Sequence, residues 1–473
     1  DGRTWTEVTP RDLPEWTLIS IIEPSHRDAG TAYVAATRYK LDDPTPYLLK
    51  TTDGGSSWTS ITEGIPKDEY TRVIREDPAV PGLLYCGTER GVYVSFDDGA
   101  HWESIRLNLP GVPVHDLEVK GTDLVAATHG RSFWILDDLT PIRELATDSN
   151  PDEVRLFTPR DTVRATTFGR NRRLNRIPDT SDLPMLVAGS YLAGRPDTGD
   201  PAVWLDAGTN VPGVIIQYYL DHPVDQVSVS IQDAKGETVA DLTSGELAAG
   251  DPRPRLKTTA GSHRVVWDAR YPGATPIAET GSAARSLAPL APPGEYTVTL
   301  QAGDARARAA FRLLAPPNVS TTAAQYEEQF QLLVRVRDQV SRIHEAYNRI
   351  STLRGQVTEW ETRLRDRSDA EALRESLSAV KAGADAARDR LVQWRYADFQ
   401  DDINYPPMLN LQVAHIYQVA ASADAPPTSQ TYEALETLTG QVEEELRRVE
   451  SLMAEEVAAF NAQARDAGLP ALS

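Results

Sequence analysis

Short runs in which apolar and polar residues alternate fill the first 147 residues. Alternation with a period of two predicts β-strands with one buried face. The runs fall into groups of four, and the groups recur about every 45 to 50 residues, which is typical of β-propeller blades. The first two groups span residues 16–22, 32–37, 47–51 and 58–61, then 71–75, 83–87, 92–95 and 102–105. The third group is VHDLEV, DLVAAT, SFWIL and PIREL, so the pattern predicts about three blades.

The pattern changes twice after residue 147. Residues 148–200 are rich in Pro, Arg, Asp and Gly without a sustained period, so we expect an irregular linker there. Residues 201–315 alternate again and predict a β-sandwich. From residue 322 to residue 473 apolar residues recur at intervals of three and four, which predicts a C-terminal antiparallel helical bundle. The predicted fold class is therefore multidomain, mainly β and then α, and begins with a partial β-propeller.

A short motif, S/T-x-D-x-G-x-x-W, recurs between the third and fourth strands of the groups. One copy comprises Ser95, Asp97, Gly99 and Trp102, and another comprises Thr51, Asp53, Gly55 and Trp58. The opening DGRTW matches the end of a third copy. In a tight turn an Asp carboxylate accepts backbone N–H groups, a Gly permits a positive φ, and a Trp covers the hairpin. We therefore interpret both motif aspartates as turn residues, with a catalytic role as the alternative. The motifs resemble the Asp-boxes, or BNR repeats, on the propeller blades of sialidases, xyloglucanases and sortilin-type receptors.

Three blades are too few to close a propeller, which takes roughly four to eight. An open stack exposes a β edge and an apolar flank. We therefore expect further blades, from an upstream segment or a separate chain, to pack near Trp5 and Trp16. A homo-oligomer is a further possible assembly. This chain on its own is expected to be insoluble or to self-associate.

Composition argues against several function classes. The net charge of −21 argues against nucleic acid or an anionic membrane as the main partner. No run approaches the roughly 18 apolar residues of a membrane-spanning helix. Cys86 is the only cysteine, and its apolar surroundings, LLYCGT, predict a buried thiol. The sequence has no nucleotide-binding, nucleophile-elbow or metal-ligand motif, so we expect neither a cofactor nor a metal.

The loops that join the second strand to the third in each group form the candidate site. Because the Asp-box turns join the third strand to the fourth, these loops lie at the opposite end of the blades. They contain four candidate ligand-binding residues, Arg38, Arg90, His129 and Arg131, and two candidate acid-base residues, Asp42 and Glu89. Arginine binds carboxylates or sugar hydroxyls, carboxylates transfer protons, and histidine titrates near neutral pH. The alternative is that Glu89 with Arg90, and His129 with Arg131, form ion pairs and turn contacts that hold the ring together.

Several segments together go beyond a generic propeller. They are TERGVYVSFDDGAHW, ATHGRSFWILDDLTPIREL, HRVVWDARYP with PPGEYTVTL, NYPPMLN and FNAQARDAGLP. This combination resembles the C-terminal half of large secreted bacterial BNR-repeat proteins of the sortilin-like or glycosyl hydrolase type. HRVVWDAR followed by APPGEYTVTL resembles an immunoglobulin-like domain of bacterial secreted proteins. The resemblance implies a bacterial, extracytoplasmic protein, either periplasmic or secreted.

Two functions from different classes follow. The first is a binding or scaffold protein whose propeller face engages a protein, peptide or glycan, while the sandwich and the bundle mediate assembly. The second is a glycoside hydrolase whose active site is completed by further blades. The first is favoured, because the sequence identifies no pair of carboxylates at the spacing that glycoside hydrolysis requires.

Overall fold

Three consecutive antiparallel sheets form the first part of the structure. The computed structural model describes residues 2–107, 109–148, 153–164, 213–247, 253–278, 287–365, 367, 370–395 and 401–472, and the backbone of 192–194 and 201–203. The strands of the first two sheets are β1 Leu18–Pro24, β2 Ala32–Arg38, β3 Asp43–Thr51 and β4 Thr59–Ser60, then β5 Thr71–Glu76, β6 Leu84–Thr88, β7 Val92–Ser95 and β8 Glu103–Ser104. The third sheet comprises β9 Val114–Lys120, β10 Asp123–Thr128 and β11 Phe133–Leu136.

The three sheets pack on one another through apolar cores. Alternate side chains of each strand supply these cores. In the second sheet, Ile74 and Cys86 point towards the first sheet, and Val73 and Tyr85 belong to the core shared with the third sheet. Successive side chains on a strand point to opposite faces, so one strand supplies both cores. This succession of sheets is consistent with a partial β-propeller.

The segment PIREL is helical, so the predicted fourth strand of the third group is wrong. Helix α1, Thr140–Thr147, takes its place, with a Pro at the start of its first turn. Proline is favoured there because the first helical N–H groups have no partner within the helix. The Asp138 carboxylate accepts the N–H of Thr140 at 3.0 Å. Arg143 of α1 then binds the buried carboxylate of Asp77 at 2.9 Å, which fixes the helix on the second sheet.

Two further sheets enclose a common apolar core. The strands are β12 Val154–Leu156, β13 Thr162–Val163, β14 Leu192–Gly194, β15 Pro201–Val203, β16 Val214–Leu220, β17 Val227–Asp233, β18 Thr238–Thr243, β19 Gly261–Trp267, β20 Gly294–Ala302 and β21 Ala305–Leu314. One sheet has the order β12-β16-β19 and the other β13-β21-β20-β17-β18, and β14 pairs with β15. β12, β13 and β14 lie within 148–200, so the prediction of an irregular linker does not hold for them. Residues 149–152, 165–191 and 195–200 of that segment lie outside the described residues.

The C-terminal part is helical. The helices are α2 Ala323–Leu364, α3 Glu371–Leu391, α4 Leu409–Ala420, α5 Ser429–Leu452 and α6 Ala458–Asp466, with a π-helical turn at Met453–Val457. Thr322 and Gln325 form a capping box at the start of α2, which satisfies N–H groups that the first helical turn leaves unpaired. The apolar residues of the four longer helices face one core. Among the described residues, no helix is long and apolar enough to span a membrane.

A buried ion pair joins the two-sheet part to the helices. Arg164 follows β13 and binds Asp424, which follows α4, and each side chain is only 4% exposed. The Arg164 guanidinium also donates to the main-chain oxygen of Ala291 at 3.0 Å and lies over the ring of Tyr326. The Tyr326 hydroxyl donates to Asp424 at 3.2 Å. These contacts hold the helices against the two-sheet part.

Candidate functional site

The motif turns and the loops between second and third strands lie at opposite ends of the sheets. In the turn after β7, Gly99 donates to the Ser95 hydroxyl at 2.8 Å, and His101 donates to the Asp97 carboxylate at 2.8 Å. In the turn after β3, hydrogen bonds from Ser57 and Thr51 lower the pKa of Asp53 to about 2. Both motif carboxylates therefore accept hydrogen bonds within their own turns, as expected of turn residues.

The Trp of each motif anchors its turn to the preceding repeat. The indole N–H of Trp102 donates to the main-chain oxygen of Ile61 at 2.7 Å, and the ring is 1% exposed. The indole N–H of Trp58 donates to the main-chain oxygen of Val8 at 2.8 Å. Gly55 and Gly99 each have a φ of +89, a conformation that favours glycine. These contacts hold each motif turn against the preceding repeat.

At the other end, aromatic and charged side chains from the first two sheets form one cluster. The rings of Tyr39 and Tyr70 stack with centroids 5.4 Å apart. The Arg72 guanidinium lies 5.2 Å from the centroid of Tyr39 and 5.1 Å from that of Tyr70. Arg72 also donates from Nε at 2.9 Å and from Nη2 at 2.6 Å to one carboxylate oxygen of Glu89. The cluster therefore combines a cation, two π faces and a carboxylate.

The third sheet adds a pair of imidazoles beside this cluster. The rings of His115, on β9, and His129, in the loop after β10, lie 5.0 Å apart, and both residues are exposed. Burial lowers the pKa of His115, Arg72 and His129 lower it further, and Glu89 raises it. The charges of Arg72 and Glu89 therefore act on the His115 ring across the boundary between the second and third sheets. We call the surface formed by Tyr39, Tyr70, Arg72, Glu89, His115 and His129 the loop face.

Two predicted site residues, Arg38 and Asp42, lie in the loop after β2. The Arg38 guanidinium donates to Asp43 at 2.9 Å and to the main-chain oxygen of Glu15. The hydroxyl of Tyr47 donates to the same Asp43 oxygen at 2.9 Å. Asp42 is exposed and adopts a left-handed φ of 59. Arg38 thus fixes the β2–β3 hairpin, while Asp42 faces solvent.

The predicted ion pairs within the other two loops are wrong. Glu89 pairs with Arg72, and Arg90 reaches Asp68 at 3.4 Å instead. The His129 ring lies 5.0 Å from that of His115, tilted by 37°, and Arg131 donates to the main-chain oxygen of its neighbour Gly130 at 3.3 Å. The reason is that the first strand of each sheet begins at this same end and supplies partners from outside the loops. Arg90 and Arg131 both remain exposed.

A buried carboxylate supports the loop after β6. Glu69 is almost fully buried and accepts hydrogen bonds from the hydroxyls of Thr88 and Tyr93. Burial and the Glu69 charge raise the pKa of Tyr93 to about 12. Burial and Glu69 also raise the pKa of the Cys86 thiol well above its usual range, so this thiol is protonated and unreactive at neutral pH. The predicted buried thiol is confirmed.

Sequence reasoning missed Tyr70, Arg72 and His115. They lie at or just before the first strands of the second and third sheets, β5 and β9. In an antiparallel sheet the first strand begins at the end where the second strand stops, so these residues meet the predicted loops. The predicted strand order was the available signal, because it places the starts of these first strands beside the candidate loops. It does not show which of their side chains contact the loop residues.

The loop face is suited to recognition. Its rings offer stacking surfaces, and its guanidinium and imidazole groups offer donors to carboxylates or hydroxyls. Across the part of the chain that the structure describes, no group of three or more His, Cys, Asp or Glu side chains is arranged to hold a metal ion. Three carboxylates at this end, Asp43, Asp68 and Glu89, are each paired with an arginine.

Comparisons with known proteins give distant structural likenesses. No protein-family model matches the chain, and no curated protein matches it. A GH74 enzyme from Niastella koreensis is 12% identical, with 62% of this chain and 38% of that chain covered and a TM-score of 0.21. The GH74 xyloglucanase from Xanthomonas campestris is 13% identical, with 61% and 38% covered and a TM-score of 0.21.

A third likeness is to the extracellular domain of a putative hybrid two-component system from B. thetaiotaomicron. It is 10% identical, with 61% of this chain and 30% of that chain covered and a TM-score of 0.18. This chain therefore spans 38% or less of the length of each of these three structures. Likenesses at this level assign no activity to the chain.

Proposed function

We propose that this chain is an extracytoplasmic binding protein whose loop face engages a carboxylate-bearing ligand, a peptide or a glycan, while the two-sheet part and the helices serve assembly. The observation that carries the proposal is the stacking of Tyr39 of the first sheet on Tyr70 of the second with Arg72 over both rings, at the end of the sheets where the third sheet holds the His115–His129 pair. The bacterial and extracytoplasmic setting rests on the resemblance described under Sequence analysis.

The charge of the three loops supports an anionic ligand. Residues 38–42, 88–91 and 128–132 contain four cationic side chains, Arg38, Lys40, Arg90 and Arg131, and two carboxylates, Asp42 and Glu89. Over the whole chain the ratio is reversed, with 48 Lys and Arg against 69 Asp and Glu. With Arg72 and with Asp43 and Asp68, which pair with Arg38 and Arg90, these side chains number five cations and four carboxylates, so this end repels an anionic ligand less than the acidic chain as a whole does. Carboxylate groups match the planar donors of arginine.

Binding is favoured over hydrolysis by the state of the carboxylates. A glycosidase needs two carboxyl groups, one of which donates a proton to the leaving group. Glu89 already accepts two hydrogen bonds from Arg72, and Asp42 points into solvent from another loop. The loop face therefore provides recognition groups and lacks a defined acid-base pair among the described residues.

The variants Arg131→Ala and Arg90→Ala are each expected to weaken binding of polygalacturonate or poly-L-glutamate about tenfold. Each substitution removes a guanidinium group that donates a hydrogen bond to a carboxylate of the ligand. Isothermal titration at low and high salt measures this, and affinity should fall as salt rises. Arg306→Ala, an exposed arginine on β21, is the matched control. Neutral dextran should not bind. Unchanged affinity in both loop variants, or a loss of stability without a loss of binding, contradicts the proposal.

Binding of these carboxylate probes is also expected to tighten as the pH falls from about 7.5 to about 5.5. In the free protein burial, Arg72 and His129 hold the pKa of His115 below its ordinary value, which favours the neutral imidazole near neutral pH. A bound carboxylate raises that pKa, so binding takes up a proton and is strengthened as pH falls through the pKa of the complex. Arg72, Glu89 and His129 face the same ring.

His115→Asn should remove the part of this pH dependence that His115 causes and leave the affinity at pH 7.5 nearly unchanged. Titrations in buffers of different ionisation enthalpy count the protons taken up. Equal proton uptake by the variant and the native chain would show that His115 does not face the ligand.

A further inference from the structure

The first sheet presents an apolar surface on the side that faces away from the second sheet. Trp5 is 90% exposed, Trp16 is 86% exposed and Ile22 is 65% exposed. Ile19 pairs with Ala36 and so lies on the same outward face of β1 as Ile22, and it is 38% exposed. Exposed apolar side chains on one face of a sheet mark an interaction surface.

The register of the strands shows that Ile22 has an equivalent residue in the second sheet. Ile22 pairs with Val34, and Val34 pairs with Leu49, two residues before the motif Thr51. The second sheet repeats this row as follows: Ile74 pairs with Cys86, which pairs with Tyr93, two residues before the motif Ser95. Ile74 and Cys86 are 0% exposed because they pack against the first sheet. Ile22 therefore occupies the position at which the second sheet is covered by its predecessor.

The motif turns give an independent second observation. An ideal Cβ on Gly99 would lie 2.8 Å from Ile61, and one on Gly55 would lie 2.7 Å from Val8. Ile61 and Val8 also accept the indole N–H groups of Trp102 and Trp58. Ile61 lies three residues after Trp58, and Val8 lies three residues after Trp5.

Residues 5–8 therefore contact the first motif in the way that residues 58–61 contact the second. Residues 58–61 contain β4, the outer strand of the first sheet. Gly2 has a φ of 75, close to the φ of 89 at both motif glycines, and precedes Trp5 by the same three residues. By position, residues 2–8 correspond to the end of a motif and to the segment that contains the outer strand in the first sheet.

We infer that the face of the first sheet that presents Ile19 and Ile22 is an inter-sheet interface, and that its occupant is a further sheet of the same repeat in which residues 5–8 form the outer strand. We place the other strands of that sheet on the same polypeptide, because the strands of the first and second sheets are each consecutive in sequence. The further sheet packs on Ile22 and Val34 as the first sheet packs on Ile74 and Cys86. The contact continues the interface between the first and second sheets by one repeat.

Photo-crosslinking of the native full-length polypeptide in its source cells tests this. A benzoylphenylalanine placed at position 22 should crosslink within the same polypeptide, to a peptide from strands that precede residue 5. The same group at Phe133, an exposed residue of β11, is the matched control and should not reach that peptide. A crosslink from position 22 to residues 2–473 of a second copy, to an unrelated protein, or to nothing overturns the inference.

The 473-residue chain alone provides a second test. Without the further sheet it should self-associate with rising concentration, and the variant Trp5→Ser/Trp16→Ser/Ile22→Ser should be monomeric at 52.0 kDa by light scattering. The variant Leu107→Ser/Phe133→Ser, which alters exposed apolar residues elsewhere, should associate like the parent chain. A monomeric parent chain, or an equal response to both variants, contradicts the inference.

Discussion

Replacing Trp102 with alanine is expected to destabilise the second sheet by about 3–5 kcal/mol, the usual cost of removing a buried tryptophan. The ring is 1% exposed and lies in the core between the first and second sheets. The substitution leaves a cavity there and removes the indole N–H that the Ile61 oxygen accepts. Hydrogen exchange measured by mass spectrometry should show protection of β5–β8 falling by about a hundredfold or more.

Trp58→Ala is the matched control, because it removes the same motif residue from the first sheet. Trp58 is only partly buried, and its indole contacts Val8 in the terminal segment. Its loss should cost less than half as much free energy as the loss of Trp102. Equal effects would mean that the turn itself, and not the core between sheets, is what the tryptophan stabilises.

Replacing Asp424 with asparagine or Arg164 with methionine is expected to cost about 3–5 kcal/mol, because each leaves an unpaired charge in a buried site. Each side chain is 4% exposed, and the pair joins the two-sheet part to the helices. In the single variants the two-sheet part and the helices should therefore unfold in two separate calorimetric transitions. In the native chain the two parts are expected to unfold together. The double variant Arg164→Met/Asp424→Leu should recover more stability than additivity predicts.

Arg342→Met provides the comparison for this pair. Arg342 and Glu443 form an ion pair between α2 and α5 with both side chains about two-fifths exposed. Exposed pairs contribute at most about 1 kcal/mol. A similar loss at Arg342 and at Arg164 would show that burial does not set the strength of the Arg164–Asp424 pair.

The strand pattern of the first two sheets follows from local sequence. Period-two alternation and the motif turns specify which residues face a core, and Ile74, Cys86 and Trp102 are all buried. The prediction was wrong at PIREL, where the repeat favoured a strand while Pro141 and the contact between Arg143 and Asp77 favour a helix. A repeat pattern describes the average unit, and the last unit departs from it.

The candidate site was predicted only in part. The loops containing Arg38, Glu89 and His129 could be placed at one end because their position in each repeat is fixed. The partners of these residues could not be predicted. Arg72 is 17 residues from Glu89 along the chain, and His115 belongs to a different sheet from Arg72. The pairing of Arg72 with Glu89 depends on the register of β5 with β6, whereas the approach of His115 depends on the packing of adjacent sheets.

By itself the sequence determined where the chain forms alternating strands, where glycine and aspartate make the motif turns, and where the apolar spacing becomes helical. These features depend on residues within a few positions of one another. The tertiary structure alone decided that Glu89 binds Arg72, that Arg164 meets Asp424, and that Ile22 is exposed where Ile74 is buried. The reason is that a local pattern assigns a side chain to a face, whereas only the packing of distant segments decides what covers that face.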